Sequence, residues 1–123
     1  MFIKTATALV LGIAITLPSI ASADYKRIRE AADFNAQVVG KKITFDGGWG
    51  IVHADGKTNG LVTKPKKSKY YGSWVWKGGY YCRNLVIGGK ETGTNCQKIE
   101  VDGNKLRMTR DKGKGRVTDA TMK

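Results

Sequence analysis

The sequence is poor in the residues from which most enzyme and metal sites are built. It contains one histidine, His53, and only ten acidic residues against 22 basic ones. A single histidine cannot form a histidine pair around a metal ion, so we interpret His53 as a structural strand residue. No two carboxylates can be placed in a facing acid–base pair, and Ser68 and Ser73 lack the G-x-S-x-G context of a nucleophile elbow. We therefore expect no catalytic residue, metal or cofactor, and the balance of the sequence is against an enzyme.

Long apolar runs are also scarce, and the one that exists lies at the N-terminus. Lys4 precedes an apolar stretch from Ala6 to Leu17, Pro18 interrupts it, and Ala21-Ser22-Ala23 follows as a small-x-small site. The stretch is short for a membrane span, which requires about 20 apolar residues, although an uncleaved anchor is the alternative. The pattern predicts a signal peptide over residues 1–23, cleaved after Ala23, and a periplasmic or secreted protein.

The scarcity of acidic residues leaves the chain strongly basic. Its formal charge is +12, and removal of Lys4 with the signal peptide lowers it to +11. Such a charge favours an anionic polymer, a membrane surface or an acidic protein as partner. The simpler explanation of the high charge is that it keeps an exported protein soluble. Two basic stretches are the candidate anion-binding segments, and their members are Lys64, Lys66, Lys67, Lys69, Arg107, Arg110, Lys112, Lys114 and Arg116.

The fold class follows from the turns that divide the mature chain. Residues 24–40 read as a mobile lead-in and a short helix from Ala32 to Val39, ended by Gly40. Residues 41–123 read as one domain of eight strands, spaced at about 8–12 residues and joined mostly by glycine-containing turns. This predicts an all-β antiparallel meander closed as a small barrel, with an open sheet or a sandwich as the alternative. The strands are KKITFD, WGIVHA, TNGLVTK, KYYGSWVWK, YYCRNLVI, TNCQKIEV, KLRMTRD and RVTDATM.

The mature chain keeps two cysteines, Cys82 and Cys96. In an oxidising compartment an even count predicts a disulfide, which would stabilise the domain by roughly 3 kcal/mol. The face it occupies stays open at this point. Cys96 shares a strand face with Lys98 and Glu100, whereas Ile99 and Val101 on the other face look buried. Either the disulfide therefore lies on the outer face, or a bulge shifts the register.

Aromatic residues are concentrated around the first cysteine. Trp74, Trp76 and Tyr81 could form an exposed face on which sugars, bases or a peptide stack, with Arg83 and nearby lysines supplying charge. Aromatic residues are also favoured in strands and fill barrels, which is the alternative interpretation.

The order of these motifs resembles that of a group of small bacterial periplasmic one-disulfide proteins of undefined function. The resemblance rests on WVWKGGYYCR at 74–83, Asn95-Cys96-Gln97 and the Asp102-Gly103 turn. Some members of that group carry the name dihydrodipicolinate reductase, but this chain has no nucleotide-binding segment to match the name. In shape, the predicted barrel is similar to lipocalin-like and avidin-like barrels.

These observations lead to one main hypothesis of function and two others. The main one is an exported, non-catalytic β-barrel that binds an anionic polymer, lipid or protein surface through its basic loops. The alternative is a periplasmic inhibitor of a protease or lysozyme that inserts the loop from Pro65 to Lys69 into an enzyme cleft. The third is a small enzyme of the kind that the reductase name suggests.

Overall fold

The computed structural model describes residues 24–123 and, before them, Gly12 alone. The predicted signal peptide and its cleavage site lie outside the described residues. The elements are β1 (Lys26–Ile28), α1 (Ala31–Gln37), β2 (Lys42–Phe45), β3 (Gly48–Val52), β4 (Lys57–Val62), β5 (Ser68–Lys77), β6 (Tyr80–Ile87), β7 (Lys90–Asp102), β8 (Lys105–Thr109), α2 (Arg110–Gly113) and β9 (Val117–Met122).

The strands β2 to β9 form an antiparallel meander that closes on itself. Each of these strands pairs with the next one in the sequence, and the first and last pair through Ile43 and Met122. The result is a closed eight-stranded barrel, so the predicted fold class and all eight predicted strands are confirmed. Closure leaves no free pair of sheet edges, which is how small all-β domains avoid edge-to-edge association.

The lead-in before the helix is a strand, which corrects the prediction of a mobile segment. In β1, Ile28 pairs with Ile99 and Lys26 pairs with Val101 of β7. Ile28 is buried in the core, whereas the sequence around it is dominated by charged residues and gives no alternating pattern. Because β7 is 13 residues long, its last part has an edge beyond the end of β6 that β1 can occupy.

The chain between β6 and β7 also differs from the prediction. The predicted strands YYCRNLVI and TNCQKIEV leave residues 88–93 as a connection, whereas the structure has a tight turn at Gly88-Gly89, both with positive φ, and β7 begins at Lys90. The register shifts between Asn84 and Val86, so a bulge absorbs the irregularity there. The hairpin is therefore longer than the sequence pattern indicates.

The helix α1 closes one end of the barrel. Phe34 and Val38 are each 1% exposed, and the ring of Phe34 lies 4.8 Å from Trp76, 5.4 Å from Tyr81 and 5.4 Å from Trp74, measured between centroids. Gly40, with φ of 85°, ends this segment and lets the chain enter β2. The core thus sits at the α1 end of the barrel, where aromatic rings fill the interior.

We expect Phe34→Ala to lower the free energy of unfolding by about 3–5 kcal/mol, because it removes the ring at the centre of this aromatic cluster and leaves a cavity. Asn35→Ala, an exposed position on the same helix, is the matched control and should change it by less than about 0.5 kcal/mol. Urea unfolding followed by tryptophan fluorescence measures both. Equal stability of the two variants would show that α1 does not close the barrel.

Candidate functional site

The end of the barrel opposite α1 contains a cavity of about 640 Å³. This volume lies within the range of small-molecule sites, about 300–1,000 Å³. Its apolar lining includes Ile43, Val62, Leu85, Ile87 and Met108. The polar side chains that line it are Thr58, Tyr70, Tyr81, Arg83, Gln97, Arg110, Arg116, Lys64, Asp46, Thr118 and Asp119. An eight-stranded barrel is just wide enough to be filled by side chains or to hold one small ligand, and this end is not filled.

Glycines on two strands make room for the side chain of Tyr70 in the cavity wall. Gly50, Gly60 and Tyr70 are register neighbours on β3, β4 and β5. A Cβ atom on Gly60 would lie 2.6 Å from the tyrosine ring, and one on Gly50 would overlap its hydroxyl. The ring of Tyr70 can therefore lie flat across two strands, which leaves the middle of the barrel open.

Arg83 projects into the same space from β6. Tyr81, Arg83, Leu85 and Ile87 alternate along one face of the strand and all line the cavity. The Nη1 atom of Arg83 is buried and has no hydrogen-bond partner within the described part of the chain. Burial lowers the pKa of this guanidinium, and the nearby charge of Arg110 lowers it further. A partly desolvated guanidinium with an unsatisfied N–H is unfavourable for folding.

Two tyrosine hydroxyls share this interior. Burial raises the pKa of Tyr70 to about 12, and the charge of Arg83 opposes that shift. Burial also raises the pKa of Tyr81, whose side chain is 6% exposed and lies against Phe34. Both hydroxyls are therefore neutral at physiological pH and able to donate hydrogen bonds.

The structure brings the two predicted basic segments to the same end of the barrel. The loop between β4 and β5 carries Lys64, Lys66 and Lys67, all exposed, and the loop between β8 and β9 carries Arg110 and Arg116. Lys64 contacts Asp46 at 2.7 Å between Nζ and Oδ1. Both arginines and Lys64 line the cavity, so positive charge surrounds its opening.

The loop that carries the two arginines is held in place by specific hydrogen bonds. The amide of Asn95 donates to Asp111 at 2.6 Å, and the backbone N–H of Asp111 donates back to Asn95 Oδ1 at 3.1 Å. The N–H of Arg110 donates to the carbonyl of Arg116 at 3.0 Å. These bonds fix the loop against β7 and keep the two arginines adjacent at its base.

Four predicted anion-binding residues do not line the cavity. Lys69 is exposed on the outer face of β5, and Lys114 is exposed in the α2 loop. Arg107 contacts Asp119 at 2.8 Å and lies over the ring of Tyr25. The ammonium of Lys112 lies 5.7 Å from the ring centroid of Tyr80. These four residues belong to the outer surface of the barrel rather than to its opening.

The three residues of the predicted aromatic face pack around Phe34 at the α1 end of the barrel. Trp74, Trp76 and Tyr81 surround Phe34 and form part of the core. The indole N–H of Trp74 donates to the carbonyl of His53 at 2.8 Å. Tyr81 is buried and the two tryptophans are half-buried against Phe34, so their packing favours the interpretation of these residues as barrel filling.

The disulfide between Cys82 and Cys96 is confirmed, and it lies on the outer face. The two cysteines are direct register partners on β6 and β7, and their neighbours Tyr81 and Gln97 are the pair that faces the cavity. The disulfide therefore staples the hairpin from outside and contributes nothing to the cavity.

The sequence analysis named Arg83 only as a source of charge beside the aromatic residues and did not place it inside the barrel. The available signal was its place in YYCRNLVI, where it shares an inward face with Tyr81, Leu85 and Ile87. A cation on the apolar face of a strand is unusual, since charged residues are almost never fully buried unless they are paired. That pattern could have marked Arg83 before the structure was known.

Comparisons with known proteins add no relative. No family model, curated protein or solved structure matches the chain. Neither helix of the described chain is long and apolar enough to cross a membrane. Within residues 24–123, no three His, Cys, Asp or Glu side chains are grouped so that they could hold a metal ion, and His53 bonds to the side chain of Asn59 instead. The resemblance to periplasmic one-disulfide proteins stays a prediction.

The burial of Tyr70 predicts a loss of stability at high pH. Its pKa is about 12 in the folded protein and about 10 when unfolded, so its contribution is complete below pH 10 and is lost as the pH rises through 12. We expect the wild type to lose roughly 2 kcal/mol more than Tyr70→Phe between pH 9 and pH 12. Urea unfolding at both pH values measures the difference. Parallel losses in the two proteins would mean that the hydroxyl is solvated.

Proposed function

We propose that this protein is a non-catalytic binding protein whose open, basic barrel end receives the anionic part of its partner. The observation that carries this proposal is the convergence of two basic loops, distant in sequence, around one cavity. Lys64 from the first loop and Arg110 and Arg116 from the second line the same opening. The partner classes considered from the sequence, an anionic polymer, a membrane surface or an acidic protein, all present the required charge.

Most of the positive charge at this end is available for a partner. In the described residues, no carboxylate oxygen lies within 4.0 Å of the charged groups of Lys66, Lys67, Arg110 or Arg116. The pair between Lys64 and Asp46 is solvent-exposed, and such pairs contribute little to stability. Clustered charge of one sign around a concave opening concentrates counter-ions and speeds association with them.

The proposal also fits the expected export of the protein. A closed eight-stranded meander with space inside is the architecture that lipocalins and streptavidin use to hold a small ligand. A lipocalin-like binding role in the periplasm or outside the cell agrees with the predicted signal peptide and with the disulfide. The reductase hypothesis has less support, because the described chain forms one antiparallel barrel without the βαβ unit of dinucleotide-binding folds.

A periplasmic inhibitor is the second candidate function. Residues 63–67 are all exposed at the open end of the barrel, which is the placement that a loop needs to enter an enzyme cleft. A panel of secreted proteases and lysozymes tests this candidate directly. Inhibition by micromolar protein that disappears when Lys66 and Lys67 are changed to glutamine would favour it over simple anion binding.

For the main proposal, we expect binding to polyphosphate to weaken steeply between 50 and 300 mM salt, because each contact with a phosphate releases a condensed counter-ion. The double variant Lys66→Gln/Lys67→Gln should bind roughly 30-fold more weakly at low salt, at about 1 kcal/mol for each lost contact. It should also show a shallower dependence on salt. Fluorescence anisotropy of labelled polyphosphate measures both quantities.

The matched control for this experiment is Lys57→Gln/Lys105→Gln. These two lysines are exposed at the α1 end of the barrel, and their removal changes the net charge by the same amount. If both double variants weaken binding equally, binding depends on net charge alone and not on the position of the lysines at the open end. Binding that is equally strong at both salt concentrations would overturn the proposal altogether.

A further inference from the structure

The guanidinium of Arg83 has no negative partner in the described protein. No carboxylate oxygen lies within 4.0 Å of it. The two carboxylates that line the cavity, Asp46 and Asp119, contact Lys64 and Arg107 at 2.7 and 2.8 Å respectively. The hydroxyls of Tyr81 and Tyr70 share the cavity with Arg83 and are neutral at physiological pH. The cavity therefore contains the cation of Arg83 together with hydrogen-bond donors, and both of its lining carboxylates already pair with other cations.

This arrangement destabilises the folded protein but suits the cavity to binding an anion. An unpaired charge that is partly desolvated destabilises a fold, and a planar guanidinium presents a fork of N–H groups that matches an anionic oxygen pair. The tyrosine hydroxyls, which are neutral at physiological pH, can donate to the same group. An anion placed beside Arg83 would satisfy Nη1 and offset the repulsion from Arg110.

The lining of the cavity changes from polar to apolar along β6. Tyr81 is nearest to α1, Arg83 follows, and Leu85 and Ile87 lead to the open end. Arg83 and Ile87 are separated by about 13 Å along the strand, at roughly 3.3 Å per residue. Phe45 and Val62 from β2 and β4 add apolar surface near the opening. A ligand held by Arg83 would thus have aliphatic side chains around the part that extends outward.

We propose that the barrel interior binds a small amphiphile with one anionic head group, which reaches Arg83, and an apolar chain, which lies against Leu85, Ile87 and Val62 towards the opening. This ligand class rests on the proposed function, since the ligand enters through the same basic end. Arg110 and Arg116 meet the head group on its way in, and Arg83 holds it at depth. The head group is defined by its charge and its paired oxygens, as in a carboxylate.

The probe for this site is octanoate, compared with 1-octanol and acetate by isothermal titration calorimetry on the mature protein. We expect octanoate to bind at least tenfold more tightly than either compound, because 1-octanol lacks the charge and acetate lacks the chain. Octanoate that binds no better than 1-octanol would overturn the role of Arg83. Octanoate that binds no better than acetate would overturn the role of the apolar lining.

Two substitutions at Arg83 test whether the ligand lies within the barrel. Arg83→Met keeps an unbranched side chain without its charge, and it should weaken octanoate binding at least tenfold, leave 1-octanol binding unchanged and raise the melting temperature or leave it unchanged. Arg83→Lys should restore part of the octanoate affinity. Unchanged octanoate binding by folded Arg83→Met would contradict the proposal.

Leu85→Trp provides a second route that leaves every charge in place. It fills the cavity beside Arg83, so octanoate binding should be lost while binding of polyphosphate to the basic end stays within twofold of the wild type. Octanoate binding that survives this substitution would contradict an interior site. If the wild type binds polyphosphate but not octanoate, only the proposed ligand class is overturned. If the wild type shows no salt-sensitive binding of polyphosphate, the proposed function is overturned.

Discussion

The packing of one ring, that of Phe34, determines how the interior of this barrel is used. A closed eight-stranded barrel holds little more than its own inward side chains. Phe34 enters from α1 and contacts Trp74, Trp76 and Tyr81, so three of the largest residues are gathered at one end. At the other end, two strand glycines lie across from Tyr70 and the lining side chains leave a cavity. The barrel is therefore solid at one end and hollow at the other.

The positive charge of the molecule has two physically different parts. The lysines and arginines at the opening are solvated, act over about one Debye length and lose influence as salt rises. Arg83 lies inside, where a charge is screened much less and where its interaction with a partner depends on geometry. Under the proposed function, the first part would govern how quickly an anion arrives. The second would govern which anion stays, because only a group that fits the cavity can reach Arg83.

Much of the fold could be predicted from the sequence because its turns are local. Asp55-Gly56, Gly78-Gly79 and Asp102-Gly103 each mark a hairpin, and the strands between them alternate with a period of two. Strand β1 was missed because three residues carry too short a pattern. The hollow interior could not be predicted from the sequence either. It depends on the summed volumes of side chains from eight strands, and on Tyr70 lying across Gly60, a contact between strands rather than along one.

Two features of the cavity are unfavourable for the stability of the fold. Glycine within a strand costs roughly 0.5–1 kcal/mol relative to alanine, and Gly50 and Gly60 are both strand residues with ordinary negative φ, so their backbone conformation does not require glycine. Arg83 adds an unpaired cation a short distance away. Sequences tend to break such local rules at functional sites, where the cost is balanced elsewhere. The exposed lysines break no rule, since solvated charge is ordinary on any surface. The interior of the barrel, rather than its basic surface, is therefore where this sequence departs furthest from what folding alone requires.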